Sequence, residues 1–160
     1  MSAIAYRYDV TPADREHVRQ MVHSTGFFTP AETDVAVELV DERLAKGPAS
    51  GYWFVFAQCD GQPLGYVCYG HIAVTKDSYD LYWIVVSQSQ RGKGLGRKLL
   101  EEAERLIAAA GGHRVYIETS NRAQYLPTRG FYERCGYHEE AVLQDFYGPG
   151  DSKVIFVRAI

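Results

Sequence analysis

Apolar positions along the chain follow two different periods, and the changes of period divide it into elements. Val35, Val37, Leu39, Val40 and Leu44 recur at roughly helical spacing behind Thr29-Pro30-Ala31-Glu32, a capping hydroxyl followed by an early proline, and Gly47-Pro48 closes the run. Thr11-Pro12-Ala13-Asp14 carries the same signal, so a short first strand over 4–8 should lead into a helix that ends near Gly26. Phe27 and Phe28 fall in the linker between these helices. The stretches 52–59 and 64–71 are instead aromatic and β-branched, and Asp60-Gly61 between them is hairpin turn chemistry. A third strand is expected over 81–86.

From Gly94 onward Leu95, Leu99, Leu100, Ala103, Leu106, Ile107 and Ala110 make one apolar face, closed by Gly111-Gly112. Residues 114–118 read as a strand, so strand, helix and strand form a right-handed crossover with the two strands parallel. Pro127-Thr128 opens a shorter helix ending at Cys135-Gly136, and strands over 139–145 and 153–158 flank the turn Gly148-Pro149-Gly150-Asp151. The expected class is α/β with a mixed sheet, in one domain spanning residues 1–160.

Composition narrows the partners. The 160 residues are 46% hydrophobic, enough for one core without disulfides or metal. Seventeen Lys and Arg against twenty Asp and Glu leave a net charge of -3, without the basic excess that broad nucleic-acid binding requires. No apolar run approaches the roughly 20 residues of a membrane span and the first residues hold no signal core, so no membrane partner and a cytoplasmic location are expected. Cys59, Cys68 and Cys135 lack paired C-x-x-C spacing and read as reduced thiols. His17, His23, His71, His113 and His138 show neither metal-ligand spacing nor a nucleophile's partner set, and no metal is expected.

The candidate chemistry lies in Arg91-Gly92-Lys93-Gly94-Leu95-Gly96, between a strand and the helix expected from its apolar face to be the longest. Glycines there let backbone N–H groups and the helix N-terminus face an anion, and Arg91, Lys93, Arg97 and Lys98 add positive charge suited to a diphosphate. The P-loop pattern G-x-x-x-x-G-K-[ST] is absent. A dinucleotide G-x-G-x-x-G fails as well, with Arg97 or Leu99 where the third glycine belongs, although Glu118 lies about 20 residues downstream where a ribose-binding acid would stand.

Asp80-Leu81-Tyr82-Trp83-Ile84-Val85-Val86 followed by Arg91, Gly94 and Gly96 resembles the GNAT superfamily, whose signature is Arg or Gln-x-x-Gly-x-Gly or Ala. The element order resembles that fold along nearly the whole chain. The resemblance implies a mainly antiparallel sheet with a parallel strand pair splayed at the cofactor site and helices on both faces. It further implies acetyl-CoA as co-substrate, its diphosphate held by residues 92–97 after Arg91 and its pantetheine arm paired with backbone groups of Ile84, Val85 and Val86.

Acetyl transfer to an amine needs a free nitrogen lone pair, a donor for the oxyanion and a proton for the departing thiolate. Phe131-Tyr132-Glu133-Arg134-Cys135-Gly136-Tyr137 resembles the family's Y-x-x-x-G-[FY] segment, which implies Tyr132 as the general acid. By the same resemblance Asp80 and Glu118 compete as the base, either acting directly or through water. Family members often carry Asn seven residues before the tyrosine and Ala four before, whereas Tyr125 and Thr128 stand here; the resemblance implies Asn121 for that cofactor contact only where residues 120–126 form a longer loop. Acceptor positions implied by the family are Phe27, Phe28, Tyr82, Asp145, Phe146 and Tyr147, an aromatic and acidic set suited to a protonated amine of a small molecule or a peptide. A non-catalytic acetyl-CoA-binding module is the alternative. Homodimerisation, common in such folds, has no visible signature.

Overall fold

A computed structural model describes residues 3–160. The sheet has seven strands in the order β1-β2-β3-β4-β5-β7-β6. They are β1 (Ala5–Arg7), β2 (Trp53–Cys59), β3 (Gln62–His71), β4 (Ser78–Val86), β5 (Arg114–Ser120), β6 (His138–Gly148) and β7 (Asp151–Ala159), with helices α1 (Asp14–Ser24), α2 (Pro30–Lys46), α3 (Leu95–Ala109) and α4 (Leu126–Arg134). β4 and β5 are parallel, whereas β1–β2, β2–β3, β5–β7 and β6–β7 are antiparallel. The α/β mixed sheet expected from the sequence is what forms. Among the described residues no helix is long and apolar enough to cross a membrane.

The chain divides into two compact units, the segment up to Gly70 with Trp83–Leu106, and His71–Tyr82 with Ile107–Ile160. In the first, Val18 and Val22 of α1 and Ala36, Val37 and Val40 of α2 share one buried cluster with Phe54, Phe56, Tyr66, Cys68 and Val85. The α2 start is as its sequence suggests. Thr29 accepts from the Glu32 N–H while the Glu32 carboxylate accepts from the Thr29 N–H, a reciprocal cap with Pro30 in the first turn. The Asp60-Gly61 turn has φ of 50° and 78°, the left-handed pair that a two-residue hairpin needs.

The start of α1 departs from expectation. Thr11 does not cap it; Ala13 stands at the cap position with no side-chain bond, and the Thr11 N–H instead donates to Asp14 Oδ2 at 2.8 Å. Asp14 is fully buried and accepts two further bonds of 2.8 Å from the Arg7 guanidinium, tying β1 to α1, while His17 Nδ1 lies 3.1 Å away. Burial pushes this carboxyl up, but the bonds from Arg7, Thr11 and His17 outweigh it and hold the pKa below the usual value.

Gly65 on β3 marks a close approach within the same unit. A Cβ there would stand 2.9 Å from the Val85 carbonyl oxygen and 3.0 Å from Leu99 Cδ1, so only glycine lets α3 and β4 come this near β3. In the second unit Val115, Ile117, Tyr132, Tyr137, Val154, Phe156 and Val157 are buried. Its strand β4 begins at Ser78, three residues before the apolar run that announced it, because Ser78–Leu81 pair with Arg114–Ile117 of β5.

Candidate active site

The glycine loop belongs to the first unit. Gly92 and Gly94 have φ of 76° and 80°, values costly for any residue with a Cβ, and they turn the chain into α3. The Lys98 N–H donates to the Gly94 carbonyl at 3.2 Å and closes the first turn of α3. Arg91, Gly92, Lys93, Gly94, Arg97 and Lys98 are exposed, while Leu95 is buried and anchors the turn. The positive end of a 15-residue helix and four exposed cations concentrate positive potential at one point.

Upstream of the loop the parallel ladder covers only Ser78–Leu81 and Arg114–Ile117, yet β4 continues to Val86 and β5 to Ser120. Ile84, Val85 and Val86 therefore lie beyond the end of that ladder. Val85 is buried, and Ile84 and Val86 are half-buried. Phe27, Phe28 and Trp83 form an aromatic cluster in this unit, with Phe28 5.3 Å from Phe27 and 5.1 Å from Trp83 between ring centroids. Sequence reasoning placed Trp83 on a strand without assigning it a site role. A pocket of about 420 Å³ opens beside Phe28 between α1 and α2, rimmed by Arg19 and Asp34, whose side chains pair at 3.0 Å.

The residues expected from the sequence to move protons, Asp80, Glu118 and Tyr132, lie in the second unit. Asp80 and Tyr116 are register partners, and residues two apart share a face of a strand, so Asp80 and Glu118 stand on the same face. Half-burial of Asp80 and the negative charge of Glu118 push its pKa up to about 6, against the opposing charge of Lys153. Glu118 is paired with Lys153, Oε2 to Nζ at 2.8 Å. Sequence reasoning missed Lys153, since only the β5–β7 pairing brings it beside Glu118.

Tyr132 is buried on α4 among the rings of Phe131, Tyr137 and Phe156, with centroids 5.5–6.1 Å away. Burial, helped by the neighbouring Cys135, raises its pKa well above that of a free phenol. A hydroxyl in that state keeps its proton at neutral pH.

Asn121 is committed on one side. Its Oδ1 accepts from the Ser152 N–H at 2.9 Å and its own N–H donates to the Ser152 carbonyl, which clamps the end of β5 to β7. On β6, Phe146 and Tyr147 are exposed with their rings edge to face, and Asp145 turns the strand at φ 54° while its carboxylate accepts from the Gly150 N–H. Burial, then the charges of Glu118 and Asp151 and the nearby Tyr125, raises the Tyr147 pKa. Tyr82 is 39% exposed.

Residues 18–137 match the model of the acetyltransferase (GNAT) family. The chain belongs to that family. A crystal structure of a provisionally named GNAT acetyltransferase from a Desulfovibrio desulfuricans subspecies shares 50% identity and a TM-score of 0.95, over 98% of this chain and 99% of that one. An uncharacterized N-acetyltransferase of Methanocaldococcus jannaschii is 25% identical over 140 residues, 77% of this chain and 83% of the relative. The PaiA N-acetyltransferase of Thermoplasma acidophilum in complex with coenzyme A has a TM-score of 0.74 at 18% identity, over 99% of each chain, a likeness of fold alone. Family and relatives make this GNAT chain an acyltransferase of the N-acetyltransferase kind.

Proposed function

We propose that this chain moves the acetyl group of acetyl-CoA directly to a primary amine within a ternary complex. The observation that carries the reading is the Arg91–Gly96 loop, where two left-handed glycines and a helix N-terminus ringed by cations suit a diphosphate. Past the end of the parallel ladder, the backbone of Ile84, Val85 and Val86 is the segment on which the pantetheine arm would pair as an added strand. Gly92, Lys93, Gly94, Leu95, Gly96 and Arg97 would hold the diphosphate.

Asp80 is the base in this reading. With a pKa near 6 it is ionised at neutral pH yet basic enough to accept a proton from an ammonium or from a bridging water. The freed nitrogen attacks the thioester carbonyl carbon, the carbon–sulfur bond breaks, Tyr132 gives its proton to the departing thiolate, and the second proton of the attacking nitrogen passes through water to restore the phenol. The products are an N-acetylated amine and free coenzyme A thiol. Glu118, already paired with Lys153, serves as fixed negative charge beside the acceptor rather than as the proton carrier.

For the acceptor we favour a small amine, with a peptide amine second. Phe27, Phe28, Tyr82, Asp145, Phe146 and Tyr147 supply aromatic faces and an acid for a cation. The same reading treats residues 1–160 as one catalytic domain working in the cytoplasm.

Titration calorimetry with acetyl-CoA, using NAD as the control nucleotide, tests the loop first. Micromolar binding of acetyl-CoA alone, worth roughly 8 kcal/mol, is expected. An amine panel with thiol detection then tests transfer. Absence of acetyl-CoA binding, or binding with no thiol released by any amine, would remove the proposal.

A further inference from the structure

Lys153 is the third residue of β7, opposite Ser120 of β5 and Leu143 of β6. Ser120 shares its strand face with Glu118, and through the parallel register with Asp80, so all three charged side chains stand on one face. The lysine side chain is only 12% exposed. Its ammonium is held from two sides, 2.8 Å from Glu118 Oε2 and 3.9 Å from the centre of the Phe146 ring. Lysine ordinarily keeps its strongly hydrated head in water at the end of a flexible stem. Drawing it into a fixed place between a carboxylate and an aromatic face costs hydration and rotamer freedom, and the two contacts offset that cost.

We propose that Lys153 is a positioning residue for acetyl transfer, fixing the Glu118 carboxylate and balancing its charge so that Asp80, and not Glu118, exchanges the acceptor's proton. The proposal rests on the reading of Asp80 as the base. The charges acting on Asp80 are Glu118 from β5, which favours the protonated acid, and Lys153 from β7, which favours the carboxylate. Around them, Tyr147 of β6 faces Glu118, and His71 of β3 packs edge-on against Tyr79, the neighbour of Asp80 on β4. Arg114 of β5 also stands on this face, two residues from the register partner of Asp80, but without Lys153 the Glu118 carboxylate would lose its 2.8 Å ion pair. Glu118 would be free to move, and either acid could carry the proton.

The test compares wild type with Lys153→Met, Lys153→Arg and Glu118→Gln in two readouts. One is the titration of the Asp80 carboxyl carbon by NMR, which needs no activity. The other is the pH profile of kcat/KM with an accepted amine. Lys153→Met should move the Asp80 midpoint upward by about half a pH unit, roughly threefold in proton affinity, with the acid limb of the rate profile following. Glu118→Gln should move both downward, and Lys153→Arg should keep both near wild type. Should Lys153→Met fail to fold, Glu118→Gln and Lys153→Arg still test the pair. An Asp80 midpoint unmoved in Lys153→Met, or unmoved in Glu118→Gln, overturns the proposal. A midpoint that moves while the rate profile stays still instead overturns Asp80 as the base and leaves the charge coupling standing.

Discussion

Asp80 should weaken the fold at the pH where it works. Its carboxyl is carried from 3.8 to about 6 by partial burial and the facing charge of Glu118, so the native state holds that proton more tightly than the unfolded chain does. A group with a raised folded pKa gives its full stabilisation below the unfolded value, about pH 4, and loses it as the pH rises through 6. A pKa raised that far is worth about 3 kcal/mol in a fully buried acid; Asp80 is half exposed, and solvent screening brings the expectation to about 1 kcal/mol. Asp80→Asn removes the charge and keeps the shape. In urea or thermal unfolding the variant should match wild type below about pH 3.5 and exceed it by about 1 kcal/mol at pH 8, while acetyl transfer falls by roughly a hundredfold or more. A variant no more stable than wild type at pH 8 would refute the electrostatic reasoning, and one with full activity would refute the assignment of the base.

Asp14→Asn should act in the opposite sense. It leaves the Arg7 guanidinium without its buried counter-charge, at a cost of about 3 kcal/mol or a melting temperature lower by roughly 6–12 °C, read by circular dichroism at pH 7. Because the folded pKa of Asp14 is depressed, its contribution is present above about pH 4 and fades as the pH falls through the folded value, so the two proteins should converge in strong acid. Tyr132→Phe should bind acetyl-CoA as wild type does in calorimetry but transfer acetyl roughly a hundredfold more slowly; unchanged turnover would exclude the phenol as the acid. Gly65→Ala, forcing a Cβ to 2.9 Å from the Val85 carbonyl, should cost about 1–3 kcal/mol in denaturant unfolding, and a neutral result would show that β3 and β4 yield easily.

Signals confined to a few neighbouring residues were legible without the fold. The Thr29–Glu32 capping box, the Asp60-Gly61 turn, the apolar face of α3 and the glycines at 92 and 94 each state a backbone demand that a short segment meets by itself. They were enough for the order of elements, the mixed sheet and the left-handed glycine loop that opens α3. Thr11 misled because its local pattern matched a helix cap, whereas its N–H donates to the Asp14 carboxylate that Arg7 on β1 also holds. Asn121 likewise stands in a loop whose hydrogen bonds go to Ser152, 31 residues away.

What the tertiary structure alone decided is which charges face one another. Asp80, Glu118 and Lys153 are separated by tens of residues, and nothing in their spacing distinguishes an exposed strand-end acid from a half-buried base. The β4–β5 and β5–β7 registers put them on one face, and there burial and a neighbouring charge, quantities set by long-range packing, lift one carboxyl toward neutrality and bind the other to a lysine. Local backbone chemistry thus determined the elements and the glycine loop from sequence alone. Side-chain ionisation was left to the fold, because desolvation exists only once the strands are paired and packed.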